Sequence, residues 1–355
     1  MLDKSYSLSQ LGWSHFFQQQ LSLEEWESTF PARVFAVHRN SVDIISDRFQ
    51  HHIHLPGSWY QQDSEELPTI GDWLLLDSVT GQPVKVLERK SLFRRKASGR
   101  ESKVQLIAAN IDTLFIVSSC NQDFNLSRLE RYLALALETN VEPVLVLTKA
   151  DLLVDVTDYR QQATSLKPNL TIEIVNALEP ASVVPLLSWC GTGQTVALLG
   201  SSGVGKSTLV NTLRGAATQD TASIREDDAK GRHTTTSRSM HFLHKGGLLI
   251  DSPGLRELQL SECESGVSSL FEDIEELAGQ CRFNDCSHSG EDGCTVATAV
   301  EGGDLSARRL ANYLKLNAEQ ARNAETIADR RQREKSFGKL VRSVQAVRRK
   351  ERNGC

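Results

Sequence analysis

The segment Gly200-Ser201-Ser202-Gly203-Val204-Gly205-Lys206-Ser207 constrains this chain more than any other feature. It fits G-x-x-x-x-G-K-[ST] and continues into Thr208. An apolar run, Val196–Leu199, precedes it, and a stretch with helical character, Thr208–Leu213, follows. Strand, glycine-rich loop and helix form the context in which such a loop wraps phosphates. The glycines let the backbone come close and aim N–H groups at phosphate oxygens. The helix N-terminus adds favourable partial charge. Lys206 is expected to reach the β and γ phosphates, and the Ser207 hydroxyl to bind Mg²⁺.

Such a loop needs a parallel sheet beneath it, and the preceding residues supply one. From Ile111 onward, Thr113–Ser118, Pro143–Thr148, Leu170–Val175 and Thr195–Leu199 read as buried strands, and Leu126–Thr139 reads as a helix. Strands alternating with helices imply a parallel sheet covered on both faces.

Thr148-Lys149-Ala150-Asp151 selects the base. It closes one of these strands, where an [NT]KxD motif reads guanine. The Asp151 carboxylate can accept from guanine N1–H and the exocyclic N2 amine. Adenine offers no such donor pair and would leave a buried acceptor unpaired. Lys149 is expected along the base plane. Thr148 stands where Asn is commoner, which predicts weaker bracing of the phosphate loop. Asn176-Ala177 ends the next strand, where the last base-contacting loop belongs. The pattern therefore reads as guanine-nucleotide binding, and Asp151 argues against a P-loop kinase or ATPase.

Downstream, Leu248–Asp251 reads as a strand ending in Asp251-Ser252-Pro253-Gly254, a D-x-x-G. Asp251 is expected to hold Mg²⁺ through water, and the Gly254 N–H to sense the γ-phosphate. Between the two phosphate motifs lies Gly231-Arg232-His233-Thr234-Thr235-Thr236. Thr234 is the first choice to complete Mg²⁺ coordination, with Thr235 the alternative. The usual order of such motifs places the phosphate loop first. Here TKAD and Asn176-Ala177 precede it. The same sheet can form if old termini are joined and new ones opened, because the ends of such domains often lie close together. A Gln directly after D-x-x-G often orients the attacking water. Leu255 occupies that position and can neither donate nor accept. Slow unaided hydrolysis is expected, with His233 the candidate for water positioning.

Cys281-x4-Cys286-x-His288-x5-Cys294 offers three thiolates and one imidazole. That donor set suits a closed, tetrahedral structural Zn²⁺ site. The other four of the seven Cys, Cys120, Cys190, Cys263 and Cys355, show no ligand spacing.

The first 28 residues read as polar and helical, with scattered Leu11, Trp13, Phe16 and Phe17. Residues 32–90 instead carry short alternating segments at Ala32–His38, Ser41–Ser46, His51–Leu55, Asp72–Asp77 and Val84–Leu87, separated by turn signals. That spacing suggests a small β barrel of OB type. His51, His52 and His54 could ligate a metal or simply line an exposed strand edge. After the Cys cluster the chain turns helical, with Gly302-Gly303-Asp304 as a stop and cap, and Leu310, Tyr313, Leu314 and Ala321 as an apolar stripe.

The net charge of −5 hides an asymmetry. Asp329–Arg352 holds ten Lys/Arg against three Asp/Glu. An acidic body with a basic tail often marks nucleic-acid contact, although a solvated charged helix reads the same way. No run of about 18 apolar residues appears, so no membrane span is expected, and the N-terminus does not read as a secretory signal.

Together these elements resemble the ribosome small-subunit-dependent GTPase family RsgA (YjeQ/YloQ-like). The resemblance spans roughly residues 30–330. It rests on the β barrel, the Ala108-Ala109-Asn110-Ile111-Asp112 lead-in, TKAD-Leu, GSSGVGKST, GRHTTT, DSPG and the Cys3His site. It implies a cytoplasmic, monomeric bacterial factor that binds the 30S subunit and its 16S rRNA late in maturation. It also implies that the ribosome stimulates hydrolysis of GTP to GDP. The expected organisation is an N-terminal extension (1–28), an OB-fold-like RNA-binding barrel (29–100), a circularly permuted α/β GTPase domain (101–272) and an α-helical zinc-binding domain with a basic tail (273–355). A competing reading is a nucleotide-gated RNA-binding module in which hydrolysis only resets the switch.

Overall fold

The computed structural model of the chain describes residues 6–61, 63–96, 104–215, 239–251, 255 and 263–324. Among the described residues the N-terminal segment forms two short helices, α1 (His15–Gln18) and α2 (Leu23–Ser28). Its apolar residues are nonetheless anchors. Leu11 and Phe17 are buried, and Trp13 meets the Trp73 ring edge-on at 4.8 Å. The segment is fixed by Arg33, a fully buried cation whose guanidinium donates to the carbonyls of Leu11 (2.5 Å), Asn110 (3.1 Å) and Gly71 (3.3 Å). Burial lowers its pKa to about 10, offset in part by Asp112 and Asp72, so it stays charged near neutral pH.

The short alternating segments become β1 (Thr29–Val37), β2 (Ser41–Ile45), β3 (Gln50–His54), β4 (Trp73–Asp77) and β5 (Pro83–Val86). All pair antiparallel, in the order β3-β2-β1-β4-β5. Their inward residues, including Phe30, Val34, Ile44 and Leu74, make a separate apolar core with Trp59 of the 3₁₀ turn Gly57–Gln61. Among the described residues no ladder joins β3 to β5, so closure into a barrel is not seen. An antiparallel hairpin that the sequence did not announce follows, β6 (Leu92–Lys96) with β7 (Val104–Ala109).

The larger part of the sheet contains β8 (Thr113–Ser119), β9 (Glu142–Thr148), β10 (Thr171–Ile174), β11 (Thr195–Leu199), β12 (Ser239–Phe242) and β13 (Leu248–Asp251). Its order is β10-β9-β8-β11-β13-β12, and β12 then joins β1 through Ala36 opposite Ser239. Every pair from β10 to β13 is parallel, and β12 is antiparallel to β13. The carboxyl ends of β8, β9, β10, β11 and β13 therefore share one edge. From β8 the chain winds outward to β9, whereas from β11 it winds the other way, to β13. Ligands in open α/β sheets bind at such a reversal.

Helix α3 (Leu126–Glu138) covers one face. Asn125 caps it by accepting from the Arg128 N–H at 3.0 Å, and Leu129, Leu133 and Ala136 bury its apolar stripe. Later come α4 (Thr157–Thr164), a 3₁₀ stretch (Pro180–Trp189) and α5 (Lys206–Arg214). The C-terminal part holds α6 (Glu264–Leu270), α7 (Glu272–Ala278), α8 (Thr295–Gly302) and α9 (Ala307–Ala324). Gly303 ends α8 at φ +87°, but Asp304 does not cap α9, which begins at Ala307. Leu310, Tyr313 and Leu314 pack toward the main core as the stripe predicts. No helix among the described residues is long and apolar enough to cross a membrane.

Candidate functional site

The phosphate loop leaves β11 at Gly200, where the chain has no room for a side chain. A Cβ there would lie 2.2 Å from the Val117 carbonyl oxygen of the neighbouring strand. Gly205, at φ +94°, then turns the chain into α5, a conformation L side chains rarely adopt. Ser202, Gly203, Gly205, Lys206, Ser207 and Thr208 line a cavity of about 240 Å³ at the start of that helix. Val204 points into the core. The Lys206 ammonium is buried and donates to the carbonyls of Gly200, at 2.6 Å, and Ser201.

Three hydrogen bonds tie together the phosphate loop, the helix that follows it and the base-reading segments. The buried Thr148 hydroxyl donates to the Val204 carbonyl at 2.5 Å, a direct brace from the base-reading strand end to the loop. The Ala150 N–H donates to Val175 at 3.4 Å, linking the two base loops. The Thr212 hydroxyl of α5 donates to Ala177 at 2.6 Å. Lys149 adopts a left-handed conformation (φ +60°), and Asp151 follows in a 3₁₀ turn with its side chain exposed. The Asn176 N–H donates to Ser182 Oγ, and its side chain accepts from Leu178, which fixes the last loop.

Asp251 ends β13, one strand from β11, on the same edge as the phosphate loop. Leu255 is fully buried in the main core. Its side chain faces the core, away from solvent. His233, Thr234, Thr235 and Gly254 lie outside the described residues, as does the basic tail.

The Cys cluster lies between α7 and α8. Cys281 and Cys294 sulfurs are 3.9 Å apart, and His288 Nδ1 lies 3.7 and 3.6 Å from them. With Cys286, all four ligand atoms fall within 4.8 Å of one another. A tetrahedral ion with Zn–S bonds of about 2.3 Å places sulfurs roughly 3.8 Å apart, so the donor set fits. Electrostatics point the same way. Desolvation opposes ionisation of Cys281, but the amides of Val296 and Thr295 and the neighbouring thiols hold its pKa below the ordinary value. At Cys286 the His288 amide favours the thiolate, yet desolvation and the thiols of Cys294 and Cys281 push the pKa to about 12. Thiols this close resist ionising together, and a cation bound among them would relieve that resistance. Of the β3 histidines, His52 alone meets a carboxylate, with Nδ1 2.6 Å from Asp43, which also contacts His38 at 2.9 Å.

Sequence reasoning missed Thr212 and Ser182, and also Arg128, whose guanidinium donates to Ser201 Oγ. The Thr212 and Arg128 contacts are made across the fold, 35 and 73 positions apart, while Ser182 reaches back six residues to Asn176 without a recognisable motif.

The RsgA GTPase family model matches residues 86–261. A protein of Vibrio parahaemolyticus named small ribosomal subunit biogenesis GTPase RsgA 2 is 53% identical over 352 residues, 99% of this chain and 96% of its own. A small ribosomal subunit biogenesis GTPase RsgA of Mesorhizobium japonicum is 47% identical over 322 residues, 90% of this chain and 91% of its own. The crystal structure of YjeQ from Thermotoga maritima superposes with a TM-score of 0.60 at 25% identity, covering 82% of this chain and 98% of that one. That of YloQ, a circularly permuted GTPase, superposes at 0.56 and 21% identity, covering 82% and 94%, and supports the fold alone.

Proposed function

The chain belongs to the RsgA GTPase family and is a GTP-hydrolysing enzyme of small ribosomal subunit maturation; we propose that its permuted motifs form the single site where GTP is bound and cleaved. The observation that carries this reading is the set of ties from Thr148 to Val204, Ala150 to Val175 and Ala177 to Thr212. They hold base-reading and phosphate-reading segments on one sheet edge although the chain visits them out of order. Gly200–Thr208 wraps the phosphates, and Lys206 exchanges its loop carbonyls for phosphate oxygens. Thr148, Lys149, Ala150 and Asp151 read guanine, with Asn176 and Ala177 closing over the base. Ser207, Asp251 and Thr234 would hold Mg²⁺, which supplies charge neutralisation on the phosphates when bound. The Gly254 N–H senses the γ-phosphate.

In hydrolysis a water oxygen attacks the γ-phosphorus, and the bond to the β–γ bridging oxygen breaks, giving GDP, inorganic phosphate and a released proton. Leu255, turned into the core, does not serve the water. His233 positions it, and the ribosome completes the arrangement. Cys281, Cys286, His288 and Cys294 hold one structural Zn²⁺, which staples a helical domain over residues 273–355. Residues 29–100 act as an OB-like barrel that contacts 16S rRNA after the extension 1–28, and residues 101–272 form the GTPase domain. The strand order β3-β2-β1-β4-β5 supports the barrel reading. The working form is a cytoplasmic monomer. Binding of GTP and ATP, compared on the purified chain, tests the base assignment, and equal affinities would overturn it. Turnover by His233→Ala tests the water-positioning role. It should fall with little change in GTP affinity, and unchanged turnover would remove His233 from the mechanism.

A further inference from the structure

Helix α3 starts beside the phosphate loop and runs against the C-terminal helices, with contacts to both. In its first turn the Arg128 Nη1 donates to Ser201 Oγ at 2.6 Å. Two and three residues on, the same helix is gripped by α9. The Glu130 carboxylate, fully buried, accepts from Arg308 at 2.8 and 2.9 Å, from Arg309 at 3.3 Å and from Asn312 at 2.6 Å. Arg131 meets Glu319 of α9 through two parallel bonds of 2.7 Å.

We propose that Arg128 is a positioning residue for the phosphate loop, and that α3 carries the position of the C-terminal helix α9 to it. The inference rests on the reading that Gly200–Ser207 binds the phosphates of GTP.

Ser201 has two holds. One is the Lys206 ammonium on its carbonyl, and the other is Arg128 on its hydroxyl. The ammonium has three protons, and phosphate oxygens compete for them. As Lys206 turns to phosphate, the Arg128 strap remains on the second residue of the loop. A hydrogen bond from a guanidinium is about twice as strong as a neutral one. The loop acts by aiming backbone N–H groups, and misplacement by about 1 Å can cost a hundredfold in rate. A helix is internally bonded and moves as a unit, and paired guanidinium–carboxylate contacts tolerate little change of angle. A partner that shifts α9 therefore shifts α3, and with it Arg128. Coupling of this kind is reciprocal, so nucleotide at the loop biases α9 in turn.

The test uses the full-length, zinc-loaded chain and the dissociation rate of a fluorescent GDP analogue, with kcat and KM for GTP alongside. Arg128→Ala should speed dissociation about tenfold, and Arg128→Lys should recover part of the loss. Ser201→Ala should act alike, with the double variant no worse than either single one. Glu319→Arg should also speed dissociation. The swap Arg131→Glu with Glu319→Arg should reverse that, and Glu319→Arg should add nothing once Arg128 is Ala. Thermal midpoints separate this from stapling, since a purely structural role changes the midpoint and leaves dissociation alone. Dissociation from Arg128→Ala within about twofold of wild type overturns the proposal. So does an undiminished Glu319→Arg effect in the Arg128→Ala background. Failure of the wild-type chain to bind the analogue would instead overturn the nucleotide-site reading, and this inference with it.

Discussion

The Thr148 hydroxyl donates to the Val204 carbonyl at 2.5 Å, and this bond fixes the strand end that reads the base to the loop that wraps the phosphates. Both residues are buried. Thr148→Val keeps the shape and removes the donor, leaving the carbonyl unpaired at a cost of about 1–3 kcal/mol. Urea denaturation should read that loss, and guanine-nucleotide affinity should fall about tenfold. Thr148→Ser retains the donor and should stay near wild type.

Asp151 reads the base through its acceptor pair. Asp151→Asn turns one acceptor into a donor, which suits xanthine, whose C2 carries a carbonyl. GTP affinity should fall about a hundredfold or more, with xanthosine triphosphate becoming the better ligand. Competition binding with both nucleotides checks it. Retained preference for GTP would mean that another group reads the base edge.

Much of this was legible in the residues, for identifiable reasons. The strands around the site are continuous apolar runs because they are buried on both faces, and those runs marked β8, β9 and β11 closely. The phosphate loop and TKAD are contiguous motifs, so local spacing exposes them. The hairpin of β6 and β7 was not legible, because Phe93-Arg94-Arg95 carries too much charge to read as a strand. The helical expectation for the first 28 residues holds over His15–Gln18 and Leu23–Ser28, with turns between and before them. Phe17 of α1 packs against Trp73 and Leu11 joins the main core, so tertiary anchoring fixes the path between the two short helices. The role of Arg128 depends on a partner 73 positions away. Only the fold brings the two together.

The Cys cluster predicts a metal-dependent fold. Zinc released by thiol modification should amount to one ion per chain. Cys294→Ser should lose it and lower the thermal midpoint, because the metal's contribution to folding goes with its ligand, while the serine hydroxyl still accepts from the Ala297 N–H at the start of α8. Undiminished zinc content in that variant would exclude Cys294 as a ligand.

Hydrogen bonding to Arg131 holds the Glu319 carboxyl below its ordinary value of 4.5, against desolvation. A depressed carboxylate contributes stability above its unfolded pKa and loses it as pH falls through the folded one. Between about pH 6 and pH 3, the wild type should therefore lose more stability than Glu319→Gln does. The difference should be at most about 1 kcal/mol, because solvent screens a pair this exposed. Thermal melts across that range measure it, and parallel curves would show that the pair contributes nothing.

The central claim is a GTPase whose site is assembled from permuted motifs, with an apolar Leu255 where a water-orienting side chain often stands. The most direct measurement is steady-state GTP hydrolysis titrated with purified 30S subunits. The account predicts slow turnover by the chain alone and a saturable rise in kcat as subunits are added. A rate that stays flat through saturation would contradict it, and would leave a nucleotide-gated RNA-binding protein in its place.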